Sequence, residues 1–236
     1  MNKQVKHLCL VGALAALSSL FNQAANADVL QVNGGLSTGY FISGSNVTDK
    51  EPILFLNADW SFDNGAFTGA ECYQSTADEG ESLSRGCNAY LGYFSKINKS
   101  QAISVSARYK RYLVEDSLFW SDLEAQISWH INKRVNLALT LNDNWLDQGF
   151  STATLEGDYS RPITKNLTSY FSVGLMQFES SANIGLTEHF EVGVKYQKNR
   201  WSAELSALVS DSDVNNLLWF DASQNQVRLT FRYRLY

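Results

Sequence analysis

Gln224-Asn225-Gln226-Val227-Arg228-Leu229-Thr230-Phe231-Arg232-Tyr233-Arg234-Leu235-Tyr236 closes the chain, and its alternation decides the fold. Val227, Leu229, Phe231, Tyr233 and Leu235 fall on one face of a strand, and Arg228, Thr230, Arg232 and Arg234 on the other. Side chains in a strand point alternately to opposite faces, so one face is apolar and the other carries three guanidinium groups. A strand with an apolar outer face and a charged inner one is the unit of a membrane-spanning barrel.

The same period runs through the rest of the chain. Val135, Leu137, Leu139 and Leu141 alternate with Asn136, Ala138, Thr140 and Asn142, and Gln126 to Trp129 continues the pattern. Twelve runs of this kind occur: Leu30–Phe41, Pro52–Phe62, Ala66–Tyr73, Asn88–Phe94, Gln101–Tyr112, Phe119–His130, Val135–Trp145, Phe150–Ser160, Leu167–Phe178, Ile184–Tyr196, Trp201–Ser210 and Gln224–Tyr236. An even number returns both ends of the chain to one side. The expectation is an all-β chain: a transmembrane, antiparallel, up-and-down β-barrel of about 12 strands in a single domain.

The connections alternate in kind. Asp63-Asn64-Gly65 and the segments 95–100, 131–134, 161–166 and 197–200 are short. They hold Lys96, Lys99, Lys133, Arg134, Arg161, Lys165, Lys198 and Arg200 against Asp63 alone. Asn and Gly tolerate the positive φ of a tight turn. The other connections tend to be longer and are acidic, with Asp49, Glu51, Asp78, Glu79, Glu81, Glu115, Asp116, Asp147, Glu179, Glu188, Asp211, Asp213 and Asp221 against Lys50 and Arg85. Short turns inside and longer loops outside match an outer-membrane barrel. Trp60, Tyr93, Trp129, Tyr159, Tyr196 and Tyr233 each sit outward near a short turn, once per hairpin, as an interfacial aromatic girdle would.

The amino terminus fits export. Lys3 and Lys6 precede an apolar run from Leu8 to Phe21, and Ala25-Asn26-Ala27 matches a cleavage site. Residues 1–27 therefore read as a signal peptide and 28–236 as the barrel domain. The run is too short for a membrane helix of about 20 residues. A net charge of −5, more negative once the leader lysines are gone, gives no reason to expect nucleic acid. The expected partners are outer-membrane lipid and lipopolysaccharide, the barrel-assembly machinery and small polar solutes, at the bacterial outer membrane.

Cys72 and Cys87 bracket one connection on the same outward face. A disulfide between them would suit an oxidising periplasm and stabilise the fold by roughly 3 kcal/mol; free thiols are the other reading. No cofactor is called for, and two thiols without nearby histidines fall short of a zinc ligand set.

The segment Leu36-Ser37-Thr38-Gly39-Tyr40-Phe41-Ile42-Ser43-Gly44, with Pro52, Asp59-Trp60 and Gly65-Ala66-Phe67-Thr68-Gly69, resembles the opening of the TorF-type porins. Gly39 and Ser43 stand where that family usually has Asp and Arg. The resemblance covers about the first 40 residues of the barrel domain; it implies an outer-membrane barrel that could act as a channel, and it brings no catalytic residues with it.

By alternation Arg108, Lys110, Arg228, Arg232 and Arg234 face the lumen, with Asp122, Glu124, Glu156 and Asp158. Asp59, Glu71, Lys195, Glu191 and Glu204 join them. The last-strand arginines are expected to face the four acids across the bore. A narrow aqueous pore and a salt-bridged, filled interior serving as a structural or adhesion barrel both fit such charges. A lipid hydrolase is the rival class, but the barrel segment holds only His130 and His189 and no Gly-x-Ser-x-Gly elbow. Asp211-x-Asp213-x-Asn215 lacks the turn glycine and final glutamate of a calcium loop, and the sequons at Asn46, Asn98 and Asn166 read as chance.

Overall fold

The computed structural model describes residues 29–39, 41–42, 45–46, 51–75, 85–114, 118–144, 150–179, 184–212 and 225–236. The leader, much of the long connections and the segment 213–224, which includes Asp213, Asn215 and Asp221, lie outside them. The strands are β1 (Val29–Ser37), β2 (Phe41–Ile42), β3 (Ser45–Asn46), β4 (Ile53–Ser61), β5 (Ala66–Ser75), β6 (Arg85–Lys96) and β7 (Ala102–Val114). They continue as β8 (Leu118–His130), β9 (Val135–Asn142), β10 (Ser151–Pro162), β11 (Leu167–Glu179), β12 (Ile184–Lys198), β13 (Trp201–Ser212) and β14 (Asn225–Arg234).

Twelve strands, all but β2 and β3, form one closed antiparallel barrel in which each pairs with its neighbours in the chain. Closure is made by β1, which pairs β4 from Val29↔Ser61 to Ser37↔Ile53 and β14 from Asn33↔Arg234 to Ser37↔Thr230. Beyond the ladder, Val32 N–H donates to the Tyr236 carbonyl at 3.0 Å and Leu235 N–H to the Val32 carbonyl at 2.8 Å. The seam side chains Ser37 and Thr230 share a 2.9 Å hydrogen bond between hydroxyls. No barrel strand is left as an edge, which is the condition for a sheet to sit in hydrocarbon.

The alternation expected from the sequence is present with its polarity reversed relative to a soluble sandwich. Along β12 the pattern begins exposed–buried–exposed–buried: Ile184, Leu186, Glu188 and Phe190 point out, while Gly185, Thr187 and His189 are buried inside. Ile127, Leu139, Leu155 and Leu175 are aligned across β8 to β11 by register, and all four are exposed. Exposed apolar surface of this extent is far above the few hundred Å² that soluble monomers tolerate. No helix among the described residues is long and apolar enough to cross a membrane.

The short turns are held by their own side chains. Gly65 takes φ 90°, and Asn64 Oδ1 accepts from Ala66 N–H at 2.9 Å. Asn98 Oδ1 accepts from Ser100 and Gln101 N–H, and Asn132 Oδ1 from Arg134 and Val135 N–H. Asn199 bends the β12–β13 turn with φ 55°. The Asn98 side chain is therefore committed to its turn.

Two segments differ from the sequence reading. The first strand stops at Ser37, where Thr38 N–H is captured by the Leu229 carbonyl, and Phe41 instead belongs to the β2–β3 hairpin. The short runs Ala66–Tyr73 and Asn88–Phe94 lie within longer strands, β5 and β6. Gly86 and Gly92 interrupt the hydrophobic rhythm of β6, yet each is required: a Cβ at Gly86 would strike the Tyr73 ring and one at Gly92 the Phe67 ring.

Leu155→Arg, near the middle of the outward band, should lower stability by about 2–4 kcal/mol in lipid vesicles, the cost of arginine near a bilayer midplane. Leu155→Phe should fold as the parent does. Urea unfolding followed by tryptophan emission measures both, and an arginine tolerated as well as phenylalanine would mean that this face does not meet lipid.

Candidate functional site

The inner wall carries charged side chains of both signs. Arg108 and Lys110 on β7 stand in register opposite Glu124 and Asp122 on β8. Lys110 Nζ contacts Glu124 Oε2, and Arg108 Nη1 lies 3.8 Å from Glu124 Oε1. The Arg108 guanidinium also sits 5.3 Å from the centroid of the Tyr90 ring, whose hydroxyl donates to Asp59. A continuous polar chain thus runs from β4 to β8. Lys110 and Asp122 are both buried.

A second cluster centres on Arg228. Its Nη2 lies 2.5 Å from Glu191 Oε1 and 3.3 Å from Glu204 Oε1. The Tyr170 hydroxyl is 3.0 Å from the same Glu191 oxygen and 2.7 Å from the same Glu204 oxygen. Its single proton bridges one carboxylate at a time, and the guanidinium compensates the other. Further round, His189 Nε2 lies 3.4 Å from Glu156, and Asp158 accepts from Ser172 Oγ at 2.7 Å and Asn136 Nδ2 at 3.1 Å.

The expected pairing across the bore is therefore not what forms. Arg228 meets Glu191 and Glu204 on β12 and β13, while Glu124 and Glu156 are engaged by β7 and β12. Neighbouring strands are only about 4.8 Å apart, so a side chain reaches along the wall before it reaches across. Arg232 lies 5.7 Å from the centroid of the Phe55 ring on β4, and with Arg234 it lines a cavity of about 290 Å³ at the short-turn end. Lys195, Arg200, Asp59 and Glu71 line the same cavity. Tyr90, Tyr170 and Phe55, which bind these charges together, were missed from the sequence as neutral residues. Their inward parity was the available signal.

Towards the long connections the inward side chains pack into a buried layer. Met176 and Thr187 are 0% exposed, and Ile53, Phe178, Leu208 and Tyr112 are nearly as covered. On the outer wall Tyr93, Trp129 and Tyr196 are exposed, while Tyr159 packs on Phe171 and Tyr233 on Trp201. Trp60 has outward register between Leu30 and Thr68, yet it is only 2% exposed and its indole does not face the surroundings as the other rings do.

Cys72 and Cys87 are register partners on β5 and β6, with Cα atoms 4.0 Å apart, and they form a disulfide. His130 Nε2 lies 3.0 Å from Ser104 Oγ, with the Phe94 ring beside it. Among the described residues no three His, Cys, Asp or Glu side chains cluster as a metal site.

Solved porins share this architecture. The KdgM porin superposes with a TM-score of 0.54 at 13% identity, covering 88% of this chain and 100% of its own. The same porin in complex with disordered oligogalacturonate gives 0.53. The NanC porin gives 0.51 at 12% identity, covering 87% of this chain and 98% of its own. The barrel is a porin-like fold. No family model and no curated protein sequence matches the chain.

Arg228→Gln should destabilise the barrel by about 3 kcal/mol, because it leaves Glu191 and Glu204 together without their cation. Adding Glu191→Gln and Glu204→Gln should restore most of that loss. Urea unfolding of the variants measures it, and equal stability of parent and Arg228→Gln would remove the cluster from the account. Cys72→Ser with Cys87→Ser should leave a folded barrel on gels, since the ladder closes without the link.

Proposed function

We propose that residues 28–236, exported by the leader 1–27, form an outer-membrane channel for small polar solutes, with the short turns in the periplasm. The observation that carries this reading is the part-exposed charge of the inner wall: the side chains of Arg108 and Glu156 are 40% and 28% exposed. Charges are retained inside a barrel when water reaches them or a partner neutralises them. The outward apolar band supports a lipid surrounding, and the likeness to the KdgM and NanC porins supports the channel class. Lipid, lipopolysaccharide and the assembly machinery are the partners this reading entails. The opening residues support a kinship with the TorF-type porins.

A specific observation favours a second reading. Met176, Phe178, Leu208 and Ile53 are buried on the inner wall towards the long connections, as a structural barrel with a filled interior would have it.

Conductance in planar bilayers separates the two. A channel should conduct as purified, and Met176→Ala with Phe178→Ala should raise its conductance by widening the lumen there. Silence in both proteins would leave the structural barrel. Orientation is checked in a variant lacking Cys72 and Cys87. Asn132→Cys should resist an impermeant thiol reagent on intact cells and react once the outer membrane is opened. Labelling on intact cells would invert the topology.

A further inference from the structure

Two arginines stand on the outer wall at the end of the barrel away from the short turns. Gly86 and Tyr112 are buried inward, so their strand neighbours Arg85 on β6 and Arg111 on β7 point outward. Arg111 is exposed and Arg85 half-buried. Cys87 is the register partner of Arg111 and Leu113 that of Arg85, which makes the arginines diagonal neighbours across one strand pair. Diagonal positions are about 7–8 Å apart, within reach of two long side chains converging on one group. The Cys72–Cys87 disulfide fixes β5 to β6 at this height. Gln74 is in register with Arg85 and Ser121 with Arg111, which adds an amide and a hydroxyl to the patch.

Depth gives the patch its meaning. Trp129, one of the rings beside the short turns, is in register with Ile103, eight residues before Arg111 on β7. A strand rising about 3.4 Å per residue and tilted about 40° climbs about 21 Å over that span, against an apolar band about 25 Å tall. The arginines therefore stand at the far lipid–water boundary, where an outward arginine is tolerated, and not at the midplane, where it is costly. Below them the wall is low at the register partners Ala70 and Ala89, with the exposed Tyr109 ring beside Ala89. At this same end β11, β12 and β13 carry the outward acids Glu179, Glu188 and Asp211 instead.

We propose that Arg85 and Arg111 form an outer-wall site for a lipid bearing a phosphate monoester, in the leaflet away from the short turns. A guanidinium presents paired donors to a phosphate, and two of them match the near-double charge of a monoester better than the single charge of a diester. Each guanidinium carries five donors, so it can hold a phosphate alongside a neighbouring side chain. With the phosphate at the arginines, an acyl chain descends over Ala70 and Ala89 beside Tyr109. The acids on β11 to β13 repel the same head group, so the lipid docks on one side of the barrel only.

The proposal rests on the reading that the outer wall meets lipid, but it requires neither conduction nor a particular solute. Native mass spectrometry of the purified barrel in detergent tests it. The probes are bisphosphorylated lipid A, the same lipid stripped of its phosphates, and phosphatidylcholine. The phosphorylated lipid should add as one saturable adduct, with the other two at least about tenfold weaker, as for loss of a charge-assisted contact. Inorganic phosphate in matched amount should leave that adduct in place. Arg85→Gln with Arg111→Gln should weaken it by about tenfold or more, while Glu188→Gln with Asp211→Gln should not weaken it. Should the arginine variant fail to fold on gels, Arg111→Lys, which keeps the charge and loses the paired donors, should weaken the adduct in the same direction. Stripped lipid or phosphatidylcholine binding as tightly, displacement by inorganic phosphate, or a folded arginine variant binding like the parent would each overturn the site. A dimer mass in place of the adduct, lost in both double variants, would overturn it in favour of a second copy of the chain. Any of these results, with Leu155→Arg still destabilised in vesicles, would remove the site and leave the lipid-facing wall standing.

Discussion

Everything in this molecule depends on the ladder between the first and last strands. A sheet in hydrocarbon can leave no N–H or C=O without a partner, and the β1–β14 pairing, extended by the Val32 contacts to Leu235 and Tyr236, is what removes the last two edges. Once the sheet is a cylinder, each residue has only two destinations. Odd residues of β14 meet the outside and even residues the lumen, and a one-residue slip would carry Arg228, Arg232 and Arg234 out among Leu229 and Phe231. Closure and sequence alternation thus specify the same register.

Closure also makes the interior polar and leaves each inward charge to find compensation within reach. The wall solves this locally. Arg108 and Lys110 use Glu124, Arg228 uses Glu191 and Glu204, and tyrosines carry hydrogen bonds between strands that charges alone would not link. At the short-turn mouth Arg232 instead lies beside the Phe55 ring. The disulfide and the side-chain-built turns add local constraint without altering this division.

Strand number, pairing order and the Cys72–Cys87 link were legible because each depends on parity, which a sequence displays directly. The Asp63-Asn64-Gly65 turn was legible because φ 90° at Gly65 demands that chemistry. Partners inside the lumen were not. Parity states which face a residue occupies but not which neighbour its side chain selects, so a cross-bore field was expected where short contacts along the wall formed. The early end of β1 was hidden too, because Thr38 to Phe41 continue the sequence pattern after the ladder has been capped by the Leu229 carbonyl. The aromatic positions were readable as a register, whereas the burial of Trp60 depends on packing that spacing does not encode.

We propose that one face of each barrel strand meets lipid and the other an aqueous interior. Nitroxide scanning along β12 tests it most directly, with collision rates to oxygen and to a water-soluble nickel complex measured at each site in vesicles. Leu186, Phe190, Val192 and Val194 should be open to oxygen and closed to nickel, while Glu191, Gly193 and Lys195 show the reverse, alternating residue by residue. Accessibility without a period of two would contradict the barrel. Inward sites closed to nickel throughout would contradict the aqueous lumen.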